Sequence, residues 1–116
     1  MIRSIELPPP LPGERAFYKR AISRSHAEWP LVEVCARAVV AGGSFQFIRI
    51  AAGGIAPVPL RLIASEAVLQ GAPVSSANIA DAARQATAGA QPLPMTGYKL
   101  HLLRGVVHDV LERLAS

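Results

Sequence analysis

Residues 47–71 read Phe47-Ile48-Arg49-Ile50-Ala51-Ala52-Gly53-Gly54-Ile55-Ala56-Pro57-Val58-Pro59-Leu60-Arg61-Leu62-Ile63-Ala64-Ser65-Glu66-Ala67-Val68-Leu69-Gln70-Gly71. Three signals follow one another here. The apolar run Phe47 to Ala52 has the character of a strand. Gly53, Gly54, Pro57 and Pro59 then break it, because glycine permits positive φ and proline fixes φ and removes a ladder donor. The strand must therefore end near Gly53, and the helix that follows cannot begin before about Leu60. That helical run extends from Arg61 to Gln70, and Gly71 suits the left-handed position just past a helix end.

Upstream, residues 31–40 and 45–52 form two strand-like runs joined by Ala41-Gly42-Gly43-Ser44, a hairpin signal. Val32, Val34, Ala36 and Ala38 share one face with a core role, while Glu33, Cys35 and Arg37 share the other. On the second strand Ile48, Ile50 and Ala52 face the core, opposite Phe47 and Arg49. Downstream, residues 72–75 read as loop. Asn78 suits an N-cap, with Asp81 as its partner three residues on. Ile79, Ala82, Ala83 and Ala86 lie on one helical face that Gly89 closes. Gln91 to Pro94 is a linker, and a final helix starts at Thr96 or Gly97. Its stripe is Leu100, Leu103, Val107, Val110 and Leu114, widened by Val106 and Leu111. Lys99, Arg104, Glu112 and Arg113 take the wet side.

The N-terminal residues 1–13 read as an arm, with Leu7-Pro8-Pro9-Pro10-Leu11-Pro12-Gly13 favouring polyproline II. Residues 14–116 form the domain. Arg15 to Trp29 mixes polar and aromatic residues, and Phe17 to Arg20 reads either as a helical turn or as an edge strand. Pro30 pushes Trp29 out of the helical region. The architecture expected is α+β: a small antiparallel sheet of about three strands, covered on one face by about three helices.

Of the 116 residues, 51% are apolar and 5% aromatic, so one core built from Ala, Val, Leu and Ile is expected. No apolar run approaches the roughly 18 to 20 residues of a membrane span. A single cysteine, Cys35, forms no internal disulfide, which points to a cytoplasmic, reducing compartment. The net charge of +4 comes from scattered residues, apart from a loose group at Arg15, Lys19, Arg20 and Arg24. Aromatics do not interleave with them, so nucleic-acid binding is set aside in favour of an anionic cofactor or partner.

The chemistry-bearing residues form no catalytic set. Gly42-Gly43 and Gly53-Gly54 lack the G-x-G-x-x-G spacing that seats a pyrophosphate on a helix N-terminus, and they read as turns. His101 and His108 are seven apart, not at ligand spacing, and no carboxylate-rich set surrounds them in sequence. Cys35, mid-strand, reads as a small core residue. Ser23, Ser25 and Ser65 lack a nucleophile-elbow context. Glu66 reads as a structural charge that ties the helix start or pairs with Arg61.

The run R-I-A-x-G-G-x-A-x-x-P-x-R, followed by S-E-x-x-L-x-G, resembles the C-terminal domain of the flavoprotein subunit of molybdenum hydroxylases. That family includes the FAD subunits or domains of aerobic carbon monoxide dehydrogenases and xanthine dehydrogenases. Tyr18, Trp29-Pro30-Leu31-Val32 and Thr96-Gly97-Tyr98-Lys99 also match, so the resemblance runs from Leu7 to the C-terminus. It implies FAD, in the full assembly only. The family lysine near the flavin falls on Lys19 or Arg20, so either is expected to make a peripheral FAD contact. Tyr18, Arg24 and Arg61 are expected at the interface. In the family the proline-rich stretch follows the FAD-binding domain, so that domain is expected to be absent from this chain. The implied partners are an FAD-binding domain and the iron-sulfur and molybdopterin subunits of a hydroxylase. The implied role is non-catalytic: closing over the flavin domain and supporting assembly for electron transfer. The alternative is a free-standing interaction module of the same fold that binds no flavin.

Overall fold

A computed structural model describes residues 1–21, 31–88 and 97–116. Its elements are β1 (Glu14–Ala21), β2 (Val32–Ala41), β3 (Ser44–Gly53), β4 (Leu60–Arg61), α1 (Ile63–Leu69), α2 (Ser76–Gln85) and α3 (Tyr98–Ala115). The class is α+β, as expected, and the described residues form three helices. Among them the sheet has four strands where about three were expected, in the order β1-β2-β3-β4, all antiparallel. Phe17 to Arg20 lies in an edge strand, one of the two readings that the sequence left open. Residues 1–10 are exposed and belong to no helix or strand.

The β2–β3 hairpin turns at Gly42 and Gly43, with φ of 60° and 75°. Two consecutive positive-φ residues match the right-handed twist of the paired strands, and only glycine takes both without strain. Register shifts between Val39 and Val40: Val39 pairs with Phe47 and Val40 with Phe45, leaving Gln46 as an extra residue on β3. Strict alternation from Phe47 would put Phe45 outside the core. The extra residue instead turns Phe45 inward, where it is fully buried.

Val32, Val34, Ala36 and Ala38 of β2 and Ile48, Ile50 and Ala52 of β3 all face inward and are at most 2% exposed. The helices meet this face, with α3 over β1 and β2, α1 over β3, and α2 between α1 and α3. Along α3, Leu103, Val106, Val107, Val110, Leu111 and Leu114 are buried, while Leu100, nearest the helix start, is half-buried. Ser75, one turn earlier than the expected Asn78, caps α2: its hydroxyl accepts the Asn78 N–H at 3.1 Å. The Asn78 side chain instead donates to the Pro73 carbonyl. Helix α1 ends as read, with Gly71 at φ 75°. Gly89, Gln91 to Pro94 and Thr96 lie outside the described residues, as do Ser23, Arg24, Ser25, His26, Trp29 and Pro30.

Candidate functional site

With the helices on one side, the opposite face of the sheet is left open. Along β2 this outer face carries Glu33, Cys35 and Arg37, and along β3 Phe47, Arg49 and Ala51. On β1, Ala16, Tyr18 and Arg20 pair with Arg37, Cys35 and Glu33. Alternation along a strand places these three on the outer face as well. Cys35 is exposed, so it is not the small core residue read from its mid-strand position. Its neighbours Val34 and Ala36 fill the core instead.

An open groove of about 620 Å³ runs over this face, with Cys35, Arg37, Phe47, Arg49, Ala51 and Arg61 among its walls and Pro8 of the N-terminal arm at one side. The Phe47 ring carries two guanidinium groups, with Arg49 Cζ 4.4 Å and Arg37 Cζ 5.0 Å from its centroid. Arg37 and Arg49 are also direct cross-strand partners. Arg37 Nε lies 3.2 Å from Glu14 Oε1 but makes no aligned hydrogen bond. Arg49 donates to its neighbouring carbonyl, Ile48 O, at 2.8 Å.

Tyr18 donates its phenol to Glu33 Oε2 at 2.7 Å. That hydrogen bond, helped by slight desolvation and the Glu33 charge, raises the Tyr18 pKa, because ionising the phenol would put an anion against a carboxylate. Glu33 also lies over Gly53: a Cβ there would come within 2.6 Å of Glu33 Oε1, so a larger residue would require the Glu33 carboxylate to shift.

Arg61 stands at the edge of the groove on the two-residue strand β4. Its Nε and Nη2 grip the Glu66 carboxylate at 3.0 and 2.8 Å. This hydrogen bonding raises the Arg61 pKa, so its charge is permanent. Glu66 is buried, and its Oε1 also accepts the Ile50 N–H at 2.8 Å. The structural role read for Glu66 is therefore what the geometry displays.

Lys19 and Arg20, the two candidate flavin contacts, point to opposite faces. Lys19 pairs with the buried Val34 and reaches Asp109 on α3, at 2.5 Å. Arg20 shares the outer face with Tyr18. The site thus joins Tyr18, Arg20 and Arg61 and leaves Lys19 behind the sheet. Arg37 and Arg49 escaped the sequence reading. The hairpin alone did not reveal the pair: a two-residue Gly-Gly turn without a bulge sets Arg37 opposite Ile48, and only the extra residue Gln46 brings Arg49 opposite Arg37. One further grouping was missed: His108, Asp109 and Glu112 bring their ligand atoms within 4.8 Å of one another on α3. The carboxylates were present in the sequence, Asp109 next to His108 and Glu112 one helical turn on. Asp109, however, already holds the Lys19 ammonium.

A family model described as the CO dehydrogenase flavoprotein C-terminal domain matches residues 16–114. The chain belongs to this family. No curated protein sequence matches it. Among solved structures it resembles a carbon monoxide dehydrogenase from Hydrogenophaga pseudoflava that lacks the Mo-pyranopterin moiety of its molybdenum cofactor. The identity is 26% and the TM-score 0.81, covering 88% of this chain and 37% of the other. It shares its fold with quinoline 2-oxidoreductase from Pseudomonas putida 86, at 24% identity and TM-score 0.79, covering 91% and 38%. It also shares it with a reconstituted CO dehydrogenase from Oligotropha carboxidovorans, at 19% identity and TM-score 0.80, covering 91% and 38%. This flavoprotein domain therefore spans under two fifths of the chains it resembles.

The glycine turns sit in a β-hairpin and at a strand end. Among the described residues none forms a glycine-rich loop opening a helix onto a pyrophosphate. The outer face instead offers guanidinium groups, a phenol and an aromatic ring. No helix of the described residues is long and apolar enough to cross a membrane.

Proposed function

We propose that this chain is a non-catalytic closing domain. It docks its open sheet face against an FAD-binding domain and, with iron-sulfur and molybdopterin subunits, completes a hydroxylase that passes electrons to FAD. The observation that carries the reading is the one-sided coverage of the sheet. Three helices cover one face, while the other keeps Phe47, Ala51, Cys35 and several arginines exposed or half-exposed. A face of this kind fits an interface better than bulk solvent.

Within that reading Arg20 is the peripheral flavin contact from β1, Tyr18 and Arg61 border the interface, and Lys19 ties β1 to α3. Arg24 belongs to the same interface by its family position. The redox chemistry belongs to the cofactors, and this chain contributes positioning and shielding from water. An exposed, unpaired Cys35 supports a reducing, cytoplasmic setting.

The test is a titration of a flavin-loaded FAD-binding domain of the family with this chain, followed by flavin fluorescence. The wild-type chain should give a saturable change. The Arg20→Gln and Tyr18→Phe chains should reach it only at higher concentration. Indistinguishable curves for all three would remove β1 from the flavin site. No change with any of them would favour the flavin-free interaction module.

A further inference from the structure

Arg37 and Arg49 stand directly opposite each other on β2 and β3, on the exposed side of the sheet. Like charges in direct cross-strand register destabilise a sheet. Contact of both groups with the Phe47 ring relieves part of that repulsion. Glu14 lies beside Arg37, but among the described residues no carboxylate pairs with Arg49. A permanent cation thus faces a second cation over an aromatic floor, and Arg61 lines the same groove. Ala16 and Ala51 leave the floor between them low and apolar.

We infer that the partner surface meeting this face is an acidic polypeptide segment, whose carboxylates seat between Arg37 and Arg49 while an apolar side chain covers Phe47 and Ala51. The inference rests on the proposed docking of this face and names the chemistry of what docks there. A planar guanidinium accepts a carboxylate in two-point fashion, and two of them fixed on neighbouring strands hold it in register. A single small anion would satisfy the charges but leave the apolar floor wet. A polypeptide covers both, and the groove is open enough for a chain laid across it.

The experiment uses the isotope-labelled full chain and a synthetic glutamate-rich peptide containing leucine, with no flavin present, so it is independent of the flavin titration. Nuclear magnetic resonance follows the amides of Cys35 and Ala51 and the side-chain Nε–H groups of Arg37 and Arg49. Saturable shifts at these groups are expected, weakening as salt is raised. The Arg37→Gln/Arg49→Gln chain should bind about tenfold more weakly, roughly the 1.4 kcal/mol that two partly exposed ion pairs supply. The control chain Arg3→Gln/Arg84→Gln loses the same charge elsewhere and should bind within about twofold of wild type. Shifts scattered over all basic surfaces, or equal weakening in both double variants, would overturn the inference. So would inorganic pyrophosphate producing the same shifts with no added affinity from the peptide, which would make this a small-anion site. The thermal midpoint of Arg49→Gln provides a further check, because removing one of two opposed cations should leave it unchanged or raised. A marked fall would show that the pair holds the fold rather than a partner.

Discussion

The Glu66 carboxylate takes over a task that a longer β4 would otherwise perform. Strand β4 is only two residues long, so Ile50 would lose its edge partner. Leu62 N–H reaches Ile50 O at 2.9 Å, and Glu66 accepts the Ile50 N–H. Replacing Glu66 with alanine would strand a buried N–H and release Arg61, at a cost of about 1–3 kcal/mol. Arg61→Gln should cost less, since Arg61 is half exposed and water can serve Glu66 in part. Urea unfolding midpoints would rank the two, and equal losses would contradict the edge-partner role. Tyr18 supplies a pH prediction. Its folded pKa is raised above the ordinary value of 10.0, so the stabilisation from its bond to Glu33 is complete below about pH 10 and is lost as pH rises through the folded pKa. Ultraviolet titration should show Tyr18 ionising above pH 10, and Glu33→Gln should bring it down. An unchanged midpoint in that variant would remove Glu33 as the cause. Glu66 was legible from sequence as a structural charge, because it lies one turn into a helix and five residues from Arg61. Its bond to Ile50 was not, because that depends on how the loop of residues 54–59 folds back.

Helix α3 is the element on which the core closes. It presents six buried residues to the sheet and α2, and it anchors β1 through Asp109 to Lys19 and through its C-terminal carbonyls to Arg15. Leu103→Ala should cost about 2–5 kcal/mol by leaving a cavity. Glu112→Ala, on the exposed side, should stay within about 0.5 kcal/mol and is the proper control. Arg104→Ala is not, because Arg104 Nε donates to Thr87 Oγ1 at 2.8 Å and steadies the end of α2. Equal midpoints for Leu103→Ala and Glu112→Ala would contradict the packing of α3. The helix was easy to read because one apolar stripe of constant period runs from Leu100 to Leu114 along an 18-residue helix. Strand β1 was not, because polar residues fall on both of its faces. Arg15 and Lys19 turn toward α3, and Tyr18 and Arg20 turn outward, so no alternation of apolar and polar residues marks it. The bulge at Gln46 was hidden for a related reason. Either face could have accepted an aromatic residue, and only the pairing of Val40 with Phe45 decides which one is buried.

At the scale of the whole molecule, the asymmetry of the sheet is the central feature. One face is dry under three helices, and the other is an open groove walled by arginines and floored by small apolar side chains. The inward residues of β2, and those of β3 from Ile48 onward, were legible because they alternate. A role for the outward residues Tyr18, Arg20 and Arg61 was implied only by family resemblance, since their types alone do not separate a wet surface from a docking face. The chain contains one cysteine, and it lies in the middle of that face. Its alkylation rate therefore reports directly whether the face is covered. Mass spectrometry of this chain during iodoacetamide treatment, with and without saturating FAD-binding domain, measures it. If the chain closes a flavin domain through its open sheet face, Cys35 should react at least about tenfold more slowly in the complex, following the fraction left unbound. A complex that forms while Cys35 reacts at the free-chain rate would contradict docking through this face.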